Sequence, residues 1–168
     1  MLDDVAFMKE ALKEAQEAFQ AGEVPIGAVL VDAEGTVVAR AHNMRETWHD
    51  GTAHAEIIAL QEAAKKLGRW RLSGLTLYVT IEPCPMCAGA LVMSRVDRVV
   101  YGATDAKAGA CESLFNIVCH PALNHQLEMR AGVLEDECRA IMKRFFGQRR
   151  KKSSALKKCT NQAFDAPE

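Results

Sequence analysis

The feature that most constrains this chain is a pair of short motifs rich in metal-binding residue types. TAHAE, residues 52–56, places a histidine two residues before a glutamate, and EPCPMC, residues 82–87, places two cysteines three residues apart between prolines. Cysteine and histidine are the usual zinc ligands in proteins, and glutamate is a common proton carrier beside a metal. The motifs therefore predict a metal site, which is either closed and structural or open for chemistry.

The spacing within each motif indicates how the ligands could meet. Cys84 and Cys87 fit the first turn of a helix, where both sulfurs can point at one ion and the positive end of the helix dipole favours thiolates. His54 begins a second predicted helix and could supply a third ligand. Residues two apart on a helix point about 200° away from each other. Glu56 is therefore expected to stand beside the metal without binding it.

These residues could form a catalytic zinc site, a structural zinc site or a redox pair. Three ligands leave a fourth tetrahedral position free, which is typical of catalytic zinc, whereas structural zinc sites are closed by four. A thioredoxin-like redox pair shares the CxxC spacing, but the second motif upstream argues against it. A closed site would need a fourth ligand, and none of the candidates forms a second tight pair with CxxC-like spacing. The candidates are His42, His49, Cys111, Cys119, His120, His125, Cys138 and Cys159.

Hydrophobic periodicity predicts alternating helices and strands along the chain. Strands are predicted at 26–31, 36–41, 75–80, 97–102 and about 127–130. Helices are predicted over 5–19, about 53–67, from about 85, and over 135–146, with a short helical piece around 114–118. The alternation predicts an α/β fold of three layers, with a mixed five-stranded sheet and helices on both faces. The first hairpin should be antiparallel, and later strands should be parallel through right-handed crossovers.

Composition places the chain among ordinary globular proteins. It has 168 residues, of which 49% are hydrophobic and 26% are charged. We expect one domain over residues 1–150 and a basic, disordered tail over 151–168, because the apolar pattern stops after Gln148. No apolar run approaches about 18 residues, and the N-terminus lacks a basic flank, so neither a membrane span nor a signal peptide is predicted. The six unevenly spread cysteines fit a reducing cytoplasm and no disulfide framework.

The two motifs together resemble a known family. His54-Ala55-Glu56 with Pro83-Cys84-Pro85-Met86-Cys87 is similar to the H-x-E…P-C-x-x-C signature of zinc nucleobase deaminases. Further blocks resemble the bacterial tRNA-specific adenosine deaminases, over roughly residues 5–150. These blocks are GEVPIGAV (22–29), ARAHNMRE (39–46), AHAEIIAL (53–60), LYVTIEPCPMCAGA (77–90) and RVVYGATDAKAG (98–109). The resemblance implies a cytidine deaminase-like α/β/α fold, one Zn²⁺ per subunit, a homodimer and no nucleotide cofactor.

The resemblance also implies a reaction and roles for particular residues. The substrate would be the wobble adenosine in a tRNA anticodon stem-loop, converted to inosine by hydrolysis with release of ammonia. Two thiolates and a neutral histidine cancel the charge of zinc, so its water is acidified less than at an all-histidine site and needs a dedicated proton acceptor. Glu56 would take that proton, pass it to N1 of adenine and help protonate the leaving amine.

Three polar residues are candidates for substrate binding by the same resemblance. Asn43 would hydrogen-bond the flipped base, although an Asn that caps a loop is an equal alternative. Asp105 would lie near the ribose of a flanking nucleotide, with an ordinary turn aspartate as the alternative. Asn124 is a third candidate. Phe145 or Phe146 could stack on bases, although aromatic residues at helical spacing usually lie in the core.

Two other functions compete with this hypothesis. A deaminase of a free base or nucleoside, such as guanine, shares PCPMC but would need no basic RNA surface. A non-catalytic zinc-binding RNA module would not need Glu56. Residues 140–158 contain eight basic and no acidic side chains. Because the net charge of the whole chain is −1, the net charge of the remaining residues is −9. Attraction to RNA must therefore be local, and this basic end is either an RNA contact or a solubilising tail.

Overall fold

The computed structural model describes residues 1–164, and side chains through residue 159, as four helices around one five-stranded sheet. The helices are α1 (Asp4–Gln20), α2 (Ala55–Leu67), α3 (Pro85–Met93) and α4 (Glu135–Phe164). The strands are β1 (Gly27–Val31), β2 (Val37–His42), β3 (Thr76–Ile81), β4 (Arg98–Ala103) and β5 (Glu128–Arg130). The strand order is β2-β1-β3-β4-β5, with β1 antiparallel to β2 and β3, and with β3, β4 and β5 parallel. The predicted mixed sheet and antiparallel first hairpin are confirmed.

Helices cover both faces of the sheet and form two apolar layers. Residues of α1 and α4 pack with one set of strand side chains, and residues of α2 and α3 pack with the other set. The central strands β1 and β3 are buried at every position, as expected for strands covered on both faces. Gly27 lets α1 approach β1 closely, because a Cβ there would lie 2.0 Å from the Ala11 carbonyl oxygen.

The carboxyl ends of β3 and β4 lie side by side and define the functional end of the sheet. Ile81 and Ala103 are register partners at these ends, and the Glu82 N–H donates to the Ala103 carbonyl at 2.8 Å. The segment after β3 leads into α3, and the segment after β4 forms a long loop. Crevices outside the carboxyl ends of strands are the usual ligand sites of α/β sheets.

A buried ion cluster holds the opposite end of the sheet. The Asp4 carboxylate is only 5% exposed and accepts hydrogen bonds from the Tyr78 hydroxyl at 2.7 Å and from two Arg98 nitrogens at 2.8 and 2.9 Å. Arg130 donates to the same carboxylate. This cluster connects the start of α1 to β3, β4 and β5.

Two features differ from the sequence-based predictions. The expected helical piece at 114–118 is absent, because the N–H groups of Leu114 and Ile117 donate back to the Gly109 and Ala110 carbonyls. The last helix does not stop at Phe146 but continues to Phe164, where a disordered tail was predicted. A helix already nucleated on the sheet can extend through good helix formers without further packing. Residues 165–168 of the predicted tail lie outside the described part.

None of the helices in residues 1–164 combines the length and the apolar character that crossing a membrane requires.

Candidate metal centre and active site

Two helix N-termini bring the three predicted ligands together. His54 is the residue before α2 and Cys84 is the residue before α3, and both have extended backbones. Pro85 occupies the first turn of α3, and Cys87 follows in the same turn. Nδ1 of His54 lies 3.6 Å from Sγ of Cys84 and 3.5 Å from Sγ of Cys87. The three ligand atoms lie within 4.8 Å of one another.

This donor set fits a tetrahedral zinc ion. With Zn–S near 2.3 Å and Zn–N near 2.0–2.1 Å, a tetrahedral angle puts nitrogen and sulfur about 3.6 Å apart. The two nitrogen–sulfur distances match that value. Across residues 1–164 no fourth His, Cys, Asp or Glu joins the group. The geometry therefore favours a three-ligand site with one open position over a closed structural site.

The protons on the three ligands also suit replacement by a cation. Hydrogen bonds from Cys87 and then from His54 lower the pKa of the Cys84 thiol to about 4, despite its partial burial. The hydrogen bond to Cys84 raises the pKa of His54, and the hydrogen bond to Cys84 together with burial raises the pKa of Cys87. A divalent cation would displace the protons of these ligands on binding.

Glu56 lies beside the ligands and outside their group. It is in the first turn of α2 and only 4% exposed, which is unusual for a carboxylate without a salt bridge. The Cys87 thiol shares a hydrogen bond with it. Burial raises the pKa of Glu56, and the nearby Cys84 thiolate raises it further. A buried carboxyl with a raised pKa is suited to hold a proton and release it.

A small cavity opens directly onto His54 and Glu56. Its volume is about 90 Å³. Its walls come from the segment before β1, the segment after β2 and the start of α2. The lining residues are Val24, Ile26, Asn43, Arg45, His54, Ala55 and Glu56.

Asn43 is the predicted base-binding residue that lines this cavity. It is 6% exposed, its amide nitrogen lies 3.4 Å from the Val24 carbonyl, and its amide oxygen accepts from the Arg45 N–H at 3.2 Å. The amide therefore holds its own loop in place at the mouth of the cavity. Its role towards a base stays a prediction.

Asp105 lines a second and larger cavity next to the first. This cavity has a volume of about 430 Å³ and shares Val24, Ile26 and Arg45 with the small one. The Asp105 side chain accepts from the N–H groups of Lys107 and Ala108 at 2.9 and 3.2 Å, as a turn aspartate does. The remaining lining residues include Lys107, Arg139, Met142 and Phe146.

Asn124 and Phe145 are not brought to either cavity. Asn124 is exposed on the loop before β5 and is not among the residues lining these two cavities within the described chain. Phe145 is buried and packs edge-on against Phe19, with ring centroids 5.7 Å apart, while Phe146 reaches the larger cavity.

Two buried glutamates that the sequence analysis did not select hold the loops around the site. The Glu23 carboxylate is fully buried and accepts from the N–H groups of Glu46 at 2.7 Å and Thr47 at 3.2 Å. Glu82 is 3% exposed and binds the loop after β4. Burial opposes the charge of Glu82, but the hydrogen bonds from Ser113 and the loop N–H groups lower its pKa. The signals available in the sequence are that Glu82 is the first residue of EPCPMC and that Glu23 lies in the GEVPIGAV block.

Comparisons with known proteins identify the family of the chain. Residues 2–150 match the family model described as MafB19-like deaminase. The tRNA-specific adenosine deaminase of Bacillus subtilis (strain 168) is 54% identical over 158 residues, covering 94% of this chain and 98% of that protein. A solved structure from a study of A-to-I editing by tRNA:A34 deaminases at the wobble position superposes with a TM-score of 0.78 and 46% identity. That match covers 81% of this chain and 98% of the solved one.

A more distant structure bears on the alternative function. The guanine deaminase from Nitrosomonas europaea superposes with a TM-score of 0.72 at 25% identity, covering 86% of this chain and 85% of the other. The fold is therefore shared between deaminases of RNA and of a free base. The sequence identity of this chain is much higher to the tRNA deaminases than to the guanine deaminase.

Proposed function

This chain belongs to the MafB19-like deaminases and, within them, to the tRNA-specific adenosine deaminases, and on that premise we propose that it converts the wobble adenosine of a tRNA anticodon to inosine. The observation that carries the proposal is the buried Glu56 beside a three-ligand site, in a chain similar over almost its whole length to a tRNA-specific adenosine deaminase. The reaction is hydrolytic: water adds at C6 of adenine, and ammonia leaves.

Different side chains of this protein bind the zinc, transfer protons and orient the base. His54, Cys84 and Cys87 would hold the zinc, which when bound supplies an acidified water in the open fourth position. Glu56 takes one proton from the attacking water and delivers it to N1 of the base. It then takes the remaining proton from the oxygen that has added to C6 and carries it to the departing amine. The C6–N bond breaks, a C6 carbonyl forms, and one water is consumed for each ammonia released. Asn43, fixed at the cavity mouth, would orient the base by its amide.

The surroundings of the site fit an extruded nucleotide of an RNA loop. The small cavity would receive the base, and the adjoining larger cavity has the cationic side chains of Arg45, Lys107 and Arg139 together with the exposed Phe146. Cations suit phosphates and an aromatic ring suits a flanking base. An anticodon loop presents bases that are already splayed, so extruding one costs less than opening a duplex.

We also propose that the enzyme works as a homodimer in the cytoplasm, where tRNA is found. Three exposed apolar side chains, Met93 at the end of α3 and Leu114 and Phe115 in the loop after β4, offer surface for a second copy. Light scattering of the zinc-loaded protein should give twice the chain mass of 18.4 kDa.

The decisive experiment is incubation with total tRNA followed by sequencing for A-to-I changes. We expect inosine at the wobble position of one or more tRNAs, and an isolated anticodon stem-loop should serve as substrate. Guanine and free adenosine are tested in parallel by ammonia release. Ammonia from guanine, without inosine in the RNA, would assign the chain to free-base deamination. RNA binding without either product would support the non-catalytic module.

A further inference from the structure

Glu82 connects the segment that carries the metal ligand Cys84 to the loop that carries Asp105. It follows β3 directly and precedes Cys84 by two residues. Its N–H group donates to the Ala103 carbonyl at the end of β4, so its backbone is already part of the paired strand ends. The Pro83 carbonyl, one residue later, accepts from the Ala110 N–H at 2.8 Å. The two segments are therefore joined through backbone bonds on either side of the Glu82 side chain.

The Glu82 side chain adds five hydrogen bonds to this junction. Oε1 accepts from the N–H groups of Cys111 at 3.2 Å, Glu112 at 2.8 Å and Ser113 at 2.9 Å. Oε2 accepts from the Asp105 N–H at 2.9 Å and from the Ser113 hydroxyl. A carboxylate offers about four lone-pair sites, so its accepting capacity is fully used.

Gly109 lies directly against the Glu82 carboxylate. A Cβ on Gly109 would lie 2.3 Å from Glu82 Oε2 and 2.5 Å from the Asp105 carbonyl oxygen. Asp105 and Lys107, on the same loop, form one wall of the larger cavity. The position of this wall relative to Cys84 therefore depends on the Glu82 carboxylate.

We propose that Glu82 is a positioning residue for RNA binding, which acts through Asp105 by holding the loop of residues 104–113 against the segment that carries Cys84. The inference rests on the proposed function, because it assumes that the larger cavity binds nucleotides next to the reacting base. Glu82 does not touch the reacting atoms. Its contribution is to present Asp105 to the RNA in one arrangement.

The Glu82→Gln variant separates this role from a general structural one. Three N–H donors face the Oε1 position, so the amide oxygen of glutamine will occupy it. The amide NH₂ then faces the Asp105 N–H, and two donors cannot bond. The Ser113 hydroxyl can rotate and accept from the amide instead. The variant should thus lose the Asp105 bond and keep the others.

We expect Glu82→Gln to raise the KM for an anticodon stem-loop by about tenfold, which is the size of one buried donor left unpaired. The kcat and the zinc content should stay within about twofold of wild type. Asp105→Ala should raise KM by itself. Adding Glu82→Gln to Asp105→Ala should change KM by less than about twofold, because the effects of substituting two residues that act as one unit do not add.

Two further variants serve as a check and a control. Gly109→Ala places a Cβ against both the Glu82 carboxylate and the Asp105 carbonyl oxygen, so it disturbs the same junction from the loop side. It should also raise KM, which keeps the test valid if Glu82→Gln folds poorly. Asp4→Asn makes the same carboxylate-to-amide change at a buried site at the other end of the sheet. It should lower stability and leave KM unchanged.

Three results would overturn the inference while wild-type protein deaminates the stem-loop. The first is an unchanged KM in Glu82→Gln. The second is a rise of KM on Glu82→Gln that is as large in the Asp105→Ala background as in wild type. The third is a loss of zinc in Glu82→Gln. If wild-type protein does not deaminate the stem-loop, the proposed function itself fails, and this inference fails with it.

Discussion

His54 and Cys84 approach to 3.6 Å between Nδ1 and Sγ although 30 residues separate them in the chain. One belongs to the N-terminus of α2 and the other to the N-terminus of α3, two helices on the same face of the sheet. A metal bound there would cross-link the two helices, so binding the ion and stabilising this layer should be coupled.

Cys87→Ala should therefore lose zinc and stability together. We expect at least about a tenfold lower zinc content in protein purified without chelators, and a lower urea midpoint, because a structural contribution of the metal is lost with it. Metal analysis and urea unfolding provide the measurements. Cys138→Ala is the matched control, since Cys138 is equally buried but packs between α4 and the other face of the sheet. Full zinc content in Cys87→Ala would show that Cys87 is not a ligand.

Glu56→Gln should keep zinc and RNA binding while losing turnover. The amide is nearly isosteric but cannot carry a proton, and general acid–base groups contribute about 100-fold or more to rate. Single-turnover kinetics at saturating stem-loop, beside metal analysis, test this expectation. Glu62→Gln, on the exposed surface of the same helix, should behave as wild type. A zinc-free Glu56→Gln protein would instead make Glu56 a ligand.

The grouping of His54, Cys84 and Cys87 could be predicted from the sequence, because each motif is local and its geometry follows from a helix N-terminus. Their role as metal ligands stays a prediction. Glu82 could not be predicted in the same way. Its hydrogen-bond partners are Asp105 and residues 111–113, which only the pairing of β3 with β4 brings near. A glutamate at the end of an apolar strand does not reveal which distant N–H groups it will accept from.

Local sequence patterns gave wrong predictions in two segments where contacts with the rest of the fold determine the backbone conformation. The apolar spacing of residues 114–118 suggested a helix, but hydrogen bonds to Gly109 and Ala110 take up the N–H groups of Leu114 and Ile117. The tail was predicted as disordered from its lack of apolar spacing, yet it contains no Gly or Pro between Gly147 and the end of α4. Its helical state follows from continuity with a packed helix. The proposed division of the chain at residue 150 stays a prediction.

Asp4 should contribute stability that is lost in acid. Burial alone would raise the pKa of Asp4, but hydrogen bonds from Arg98, Tyr78 and Arg130 lower it from 3.8 to about 2. A depressed folded-state pKa contributes stability above the unfolded-state value, and this contribution disappears as the pH falls from about 4 to about 2. The shift corresponds to about 2 kcal/mol.

The Asp4→Asn variant measures this contribution. At pH 7 it should be less stable by about 3 kcal/mol, because Arg98 loses its buried partner. The difference from wild type should narrow as the pH is lowered from 4 to 2, as followed by urea unfolding. Glu10→Gln, which breaks partly exposed pairs with Lys13 and Arg40, should cost less than about 1 kcal/mol. A pH-independent difference for Asp4→Asn would rule out the proton linkage.

The basic end of α4 should contact the phosphates of the RNA. Residues 151–159 are all exposed, and Lys151, Lys152, Lys157 and Lys158 form a positive surface on a chain whose net charge is −1. Each phosphate contact adds about 0.7–0.9 to the slope of log affinity against log salt concentration. Truncation after Gln148 should therefore weaken binding of an anticodon stem-loop and flatten its salt dependence. Zinc content and the rate at saturating RNA should survive.

Truncation also removes Arg149, whose guanidinium lies 5.5 Å from the centre of the Phe145 ring, so a second variant is needed. Replacing the four lysines by glutamine keeps the helix and that contact but removes four charges. If these lysines bind phosphates, the variant should flatten the salt slope about as much as truncation does. If the slope falls only on truncation, the contact comes from Arg149 or Arg150. An unchanged slope in both variants would assign the phosphate contacts to the cations around the larger cavity and leave the end of α4 as a solubilising extension.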